Sequence, residues 1–250
     1  MRILFGVQGT GNGHISRSRT LARALRTAGV EVDYLFSGRP ADRYFDMAEF
    51  GAYRAFAGLT FVSHEGRVSP WRTLQAASPL TFWRDLRALD CSEYDLVVSD
   101  FEPLTAHAAR RYGKPSLTVS HQASFNWPIP RWGEDGVSRQ LMRHFAPVDQ
   151  LLGLHWFHFG HPLLPPVIDP IAAAPDNGEI LVYLPFEQTE AIAALLSRFG
   201  QQRFVCFHPA IRTPSQWRNL RFEPPSRHGF VAVLAGCRGV ISNAGFELAS

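Results

Sequence analysis

A histidine closes a run of small residues near the start of the chain, Gly9-Thr10-Gly11-Asn12-Gly13-His14. Imidazole titrates near neutral pH and is the commonest general base. Glycines let a ligand approach the backbone closely. The free N–H groups of a following helix attract a phosphate, a carboxylate or a sugar hydroxyl. A histidine can also simply cap such a turn, but its place inside a glycine loop favours a chemical role. Three further groups sit at the ends of apolar runs. Asp100 follows Leu96-Val97-Val98-Ser99, with Glu102 two residues on. Asp100 can orient His14 and stabilise its imidazolium, as the third group of a triad does; equally, it can cap the helix after Pro103. His121, in Ser120-His121-Gln122, can bind an acceptor or be a satisfied structural histidine, and Gln8 can face the same crevice.

These groups need elements to bring them to one edge. Residues 2–7 form an apolar run stopped by glycines, which reads as a buried strand. Ile15, Leu21, Ala22, Leu25 and Ala28 recur at helical spacing, with arginines on the remaining faces, and Gly29 ends that helix. Residues 31–36 read as a second strand, so the chain opens with a βαβ unit and a parallel sheet. Further expectations are a helix at 80–89, a strand at 96–100, a helix at 103–112, a strand at 116–120, a helix at 137–145 and a strand at 150–154. Residues 161–177 hold Pro162, Pro165, Pro166, Pro170 and Pro175 and are expected to be a linker, neither helix nor central strand. The βα rhythm then restarts with a strand at 180–184, a helix at 189–199, a strand at 204–207, a helix at 229–235, a strand at 239–241, and a helix beginning near Phe246. The class is α/β, with two Rossmann-like domains at 1–160 and 178–250, the second incomplete.

The 250 residues are 46% hydrophobic and 19% charged, an ordinary globular composition. A net charge of +3 does not argue for nucleic acid; it suits an anionic ligand or an anionic membrane surface. Lys114 is the only lysine. Cys91, Cys206 and Cys237 are odd in number and far apart, which argues against a disulfide framework and a cysteine zinc site. The opening apolar run is too short for a signal peptide or a membrane span, so a cytoplasmic location is expected. Peripheral contact with the inner face of the membrane is left open by the aromatic and basic residues Arg67, Trp71, Arg72, Phe82, Trp83, Arg84 and Arg87.

A second strand–loop–helix pattern lies in Gly239-Val240-Ile241-Ser242-Asn243-Ala244-Gly245-Phe246. Its small residues, Gly245 above all, let a diphosphate reach the backbone. Taken with Gly9 to His14, with Val98-Ser99-Asp100-Phe101-Glu102-Pro103 and with Ser120-His121-Gln122, this sequence resembles the GT-B glycosyltransferases. Within them it is most similar to the group related to the peptidoglycan N-acetylglucosaminyltransferase that makes lipid II. The order and spacing of the motifs match across essentially the whole chain.

The resemblance implies a transferase that moves a sugar from a nucleotide-sugar donor, a UDP-sugar by family, to a glycan or lipid-linked acceptor. His14 would be the base, supported by Asp100, and Gly11, Asn12, Gly13 and His121 would bind the acceptor. Phe186, Glu187, Gln188, Ser242, Asn243, Ala244, Gly245 and Phe246 would hold the nucleotide. The family needs no metal and no resident cofactor, because backbone amides stabilise the leaving diphosphate, and transfer inverts the anomeric carbon. The glutamate that grips the ribose in this family would follow Ser250, and Glu247 does not match it. A truncated chain and weak activity are therefore expected.

Three alternatives stand beside this reading. One is a sugar-nucleotide epimerase of the same architecture. Another is a non-catalytic module that binds glycan or glycolipid. The third is an NADP-dependent oxidoreductase. It would use Gly9 and Gly11 as the first two glycines of a dinucleotide fingerprint and Arg39 for the 2′-phosphate, although His14 stands where the third glycine belongs.

Overall fold

The computed structural model describes residues 1–59, 63–64, 67–68, 78–131 and 136–250. Contacts divide the chain into two units. The first holds Met1–Phe61, Trp71–Ile168 and Phe246–Ser250; the second holds Val62–Pro70 and Asp169–Gly245.

The strands of the first unit's main sheet are β1 (Arg2–Gln8), β2 (Glu31–Ser37) and β3 (Tyr53–Phe56), then β6 (Leu96–Asp100), β7 (Ser116–Ser120) and β8 (Gln150–Gly153). A two-residue ladder, β4 (Ser63–His64) with β5 (Arg67–Val68), stands apart from it. The main sheet runs β3-β2-β1-β6-β7-β8, every pair parallel. The order reverses direction between β1 and β6, which makes that crevice the switch point where open α/β sheets bind ligands. In register, Val7 lies opposite Asp100.

A parallel sheet must be covered on both faces, and the alternation of β1 shows how. Leu4 faces one core with Leu35, Val97, Leu104, Ala108 and Ala109. Ile3, Phe5 and Val7 face the other with Tyr34, Phe36, Val98, Ile15 and Ala22. The helices over these faces are α1 (Asn12–Thr27), α2 (Pro79–Ala88) and α3 (Pro103–Tyr112), with α4 (Gly136–Phe145) later in the chain. Gly6 is the point of closest approach to α3: a Cβ there would lie 2.0 Å from Thr105 Oγ1. Glycine is needed there for the helix to pack.

In the second unit β9 (Glu179–Tyr183), β10 (Arg203–Phe207), β11 (Ser215–Trp217), β12 (Leu220–Glu223) and β13 (Gly239–Ser242) run in the order β11-β12-β10-β9-β13. All pairs are parallel except β11 with β12. Helix α5 (Thr189–Leu196) packs Ile192 and Leu196 on one core. Helix α6 (Arg227–Gly236) brings Val233 and Leu234 to the other. The order again reverses at the first strand, between β9 and β13. The β11–β12 hairpin is absent from the sequence expectations. Ser215, Gln216 and Trp217 are all exposed, so no apolar alternation marks the strand, and its turn uses Arg218 at φ 53° rather than a glycine.

Residues 161–177 contain no helix or strand, only an isolated bridge from Leu164 to Leu154, and the boundary between the units falls between Ile168 and Asp169. Two expectations change. The helix expected from Phe246 is a turn, in which Ser250 Oγ donates to the Phe246 carbonyl at 2.6 Å. Residues 246–250, grouped with the second domain by sequence, belong to the first unit because Phe246 is buried there on His121. Of the aromatic and basic group, Trp71 and Arg72 lie outside the described residues. Trp83 is exposed on α2. No helix among the described residues is long and apolar enough to cross a membrane.

Candidate functional site

The first switch point gathers the carboxyl end of β1, the start of α1, the end of β6 and the loop after β7. The glycine loop is held from outside. Arg39 Nε donates to the Gly9 carbonyl and Nη2 to Asn12 Oδ1 (2.7 Å), while the guanidinium lies over Tyr44. These bonds commit the side chain that the oxidoreductase reading needs for a 2′-phosphate. Gln8 is buried and does not serve the crevice. Its Nε2 donates to Thr10 Oγ1 (2.9 Å) and to the Leu59 carbonyl (3.0 Å), bracing the loop instead. Gly11 begins α1 without a side-chain cap.

Asp100 and Glu102 separate two roles that the sequence leaves open. Phe101 between them has φ 53°, a left-handed conformation that is costly for an aromatic residue. That turn sends the two carboxylates to different tasks. Glu102 caps α3, accepting from Leu104 N (2.9 Å), Thr105 N (2.7 Å) and Thr105 Oγ1 (2.7 Å), and from Ser37 Oγ (2.5 Å). Burial raises its affinity for a proton above the usual carboxylate range, and those bonds offset only part of this. Asp100 makes no cap and turns instead toward His14, whose Nδ1 lies 2.8 Å from Asp100 Oδ1.

Arg17 is the residue that sequence reasoning missed. Its face of α1 was expected to be solvated, yet it is 2% exposed. It clamps Asp100 with two prongs, Nε to Oδ2 at 2.9 Å and Nη2 to Oδ1 at 2.7 Å, and Ser18 Oγ adds a long bond of 3.4 Å to Oδ2. Burial pushes the Asp100 carboxyl up, but the charges of Arg17 and His14 and the bonds from both outweigh it. The group is held below the usual carboxylate range and is ionised. The available signal was spacing: His14, Arg17 and Ser18 fall at i, i+3 and i+4 on one helical face.

His14 Nδ1 lies between Asp100 Oδ1 at 2.8 Å and Arg17 Nη2 at 2.9 Å. With its hydrogen on Nδ1, toward the ionised carboxylate, the ring keeps its lone pair on Nε2. Gln122 Nε2 lies 3.3 Å from that lone pair, and the His14 side chain is 14% exposed. His121 stands beside Gln122. Its Nδ1 donates to the Leu154 carbonyl (3.1 Å), and its ring stacks on Phe246 at 4.1 Å with an interplanar angle of 11°. Burial pushes the His121 imidazole down to about 4, with the Leu154 bond opposing the shift. It is neutral at pH 7, with Nε2 as an acceptor. Trp156 completes the aromatic group, 5.0 Å from Phe246, and its Nε1 donates to Ser250 Oγ at 2.8 Å.

At the switch point of the second unit, the loop after β9 carries Phe186, Glu187 and Gln188, and the loop after β13 carries Asn243, Ala244 and Gly245. They meet through one long bond, Asn243 Nδ2 to Glu187 Oε1 at 3.5 Å. His208, buried, braces the first loop: Nδ1 accepts from Ala210 N (3.2 Å), so Nε2 donates to the Glu187 carbonyl (3.0 Å). Burial lowers its basicity, which suits that neutral role. Ser242 Oγ accepts from Ala244 N (3.1 Å), and Ala244 itself is at φ 54°. Phe246, grouped by sequence with these nucleotide-facing residues, instead lies on His121 in the first unit. Among the described residues no group of three or more His, Cys, Asp or Glu side chains is placed to hold a metal ion.

Comparison with known proteins adds the following. The family model described as Glycosyl transferase family 1 matches residues 1–250. No curated protein sequence matches. Among solved structures, the glycosyltransferase SnogD from Streptomyces nogalater is 20% identical with a TM-score of 0.51, covering 98% of this chain and 76% of that one. The Streptomyces glycosyltransferase SsfS6, complexed with thymidine diphosphate, is 13% identical with a TM-score of 0.54, covering 97% and 76%. A UGT transferase from Siraitia grosvenorii in complex with UDP is 13% identical with a TM-score of 0.53, covering 99% and 76%. At these identities the likeness is one of fold, the two-unit GT-B architecture.

Proposed function

Because this chain belongs to glycosyl transferase family 1 and is a glycosyltransferase, we propose that it transfers a sugar from a nucleoside-diphosphate donor to an acceptor hydroxyl, with His14 as the base. The observation that carries this reading is the His14 Nδ1–Asp100 contact of 2.8 Å at the switch point, which leaves Nε2, beside Gln122, as the basic atom of the ring when Nδ1 holds the hydrogen. In the reaction, His14 Nε2 takes the proton of the acceptor hydroxyl. The freed oxygen bonds to the anomeric carbon as the carbon–oxygen bond to the diphosphate breaks. The nucleoside diphosphate leaves and the anomeric centre inverts.

Asp100 stabilises the imidazolium by charge and fixes the ring by its bond to Nδ1. Gly11, Asn12 and Gly13 present the backbone of the α1 start to the acceptor, and His121 Nε2 accepts from one of its hydroxyls. A glycan or a lipid-linked sugar fits such a site. In the second unit, backbone amides of the loops holding Phe186, Glu187, Gln188, Ser242, Asn243, Ala244 and Gly245 receive the diphosphate. Support for a nucleotide donor comes from the thymidine diphosphate and UDP bound by proteins of the same fold. Such amides stabilise the leaving charge without a metal.

The test is nucleotide release from UDP-glucose and TDP-glucose against a panel of sugar and glycolipid acceptors. His14→Ala is expected to cut turnover about 10²- to 10⁴-fold. Undiminished turnover at saturating substrate would remove His14 from the chemistry.

A further inference from the structure

Asp100 is not free to give its whole charge to His14. Arg17 grips both of its oxygens, at 2.7 and 2.9 Å, so the carboxylate is already balanced by a buried guanidinium. An imidazolium formed beside that neutral pair would leave a net positive charge in a largely buried site, and such a charge is expensive.

A second carboxylate stands behind the guanidinium. Glu247 pairs with Arg17 Nη1, an atom with no other hydrogen bond among the described residues. The side chains are 1% exposed for Arg17 and 17% for Glu247. The glycine loop makes the space: a Cβ on Gly13 would lie 2.2 Å from Glu247 Oε2. Neighbouring Phe246 is buried on His121, which fixes the segment that carries Glu247.

We propose that Glu247 is a positioning residue for the base: by neutralising Arg17 it returns to His14 the negative charge of Asp100. With Arg17 and Asp100 alone, the cluster is neutral before proton capture and positive after it. With Glu247 it is negative before and neutral after, the balance a base needs. The other polar groups facing His14 do not change this sum. Gln122 and Ser18 are uncharged, and His121 is kept neutral by its burial.

The proposal rests on His14 being the base, and two measurements separate the claims. Long-range proton–nitrogen NMR of the imidazole rings follows His14 protonation in the whole chain without substrate, with His14→Ala assigning the signal. Glu247→Gln is expected to move the His14 midpoint to lower pH by about one unit. Glu247→Asp, which keeps the charge, holds the midpoint near wild type. The double variant Arg17→Gln/Glu247→Gln, which removes one charge of each sign, brings it back toward wild type. A Glu247→Gln midpoint equal to wild type overturns the proposal, as does a Glu247→Asp shift as large as that of Glu247→Gln. The second measurement is turnover of UDP-glucose. If it is insensitive to His14→Ala, the base falls and this proposal falls with it. If it depends on His14 while the midpoints do not move, only the role of Glu247 is lost.

Discussion

The two switch points of this chain are built on the same sheet logic and finished in opposite ways. In the first unit the crevice beside β1 is filled with charge: Asp100 and Arg17 are buried against each other, and His14 Nδ1 lies within 3 Å of both. In the second unit the crevice beside β9 is bordered by exposed loops. Residues 243–245 and Phe186 are open to solvent, joined to the rest by one long side-chain bond and the brace of His208. A site that moves a proton needs its charges oriented before substrate arrives, because reorienting them during reaction costs barrier height. A site that receives a diphosphate can leave backbone amides exposed, since the ligand supplies the charge. Substitutions in the first region should therefore damage folding and turnover together, and those in the second should touch binding alone.

The sharpest break is Asp100→Asn. It keeps the shape but strands Arg17 without its main partner and removes the acceptor that orients His14. Turnover is expected to fall about 10³-fold or more, and stability by about 3–5 kcal/mol, read by nucleotide release and by chemical denaturation. A variant that loses turnover but keeps its stability would show the clamp to be catalytic only.

Next is the acid response of His121. Its folded affinity lies at about 4, against the ordinary 6.5, so the unfolded chain binds the extra proton between those values. Stability from this group is complete above pH 6.5 and is lost as pH falls toward 4, by at most about 3 kcal/mol. His121→Phe should flatten that limb of the stability–pH curve; an unchanged curve would mean that His121 is not what titrates there.

Gly6→Ala probes the support beneath the site. The added methyl collides with Thr105 and Glu102, and about 1–3 kcal/mol of stability should be lost in urea melts. The smallest effect is expected at Gly245→Ala. Nothing lies within 4 Å of a Cβ there, so stability should stay within about 0.5 kcal/mol. UDP or TDP affinity by calorimetry should nonetheless weaken, and an unchanged affinity would detach this loop from the nucleotide.

Much of this was legible in the sequence for a definite reason. Strands such as Leu96–Asp100 and Ser116–Ser120 are short apolar runs ended by polar residues, and α3 begins at a proline and ends at Gly113 in the left-handed conformation. Local chemistry sets such boundaries, and with them the glycine loop and the positions of His14, Asp100 and His121 at one sheet edge. The hairpin of β11 and β12 was not legible, because its outer strand has no buried face to leave a pattern.

What the linear order could not decide was which side chain meets which. Helical spacing places Arg17 on the face of His14, but an arginine reads as solvated until a buried carboxylate is brought against it from β6, more than 80 residues away in sequence. The cap of α3 went to Glu102 rather than Asp100 through the backbone reversal at Phe101, a conformation no residue type there announces. Phe246 and Glu247 follow a loop that reads as nucleotide-facing, yet they pack on His121 and Arg17. Periodicity and turn chemistry are local and are written into the sequence. The pairing of buried charges depends on distances across the fold, and only the tertiary structure fixes those.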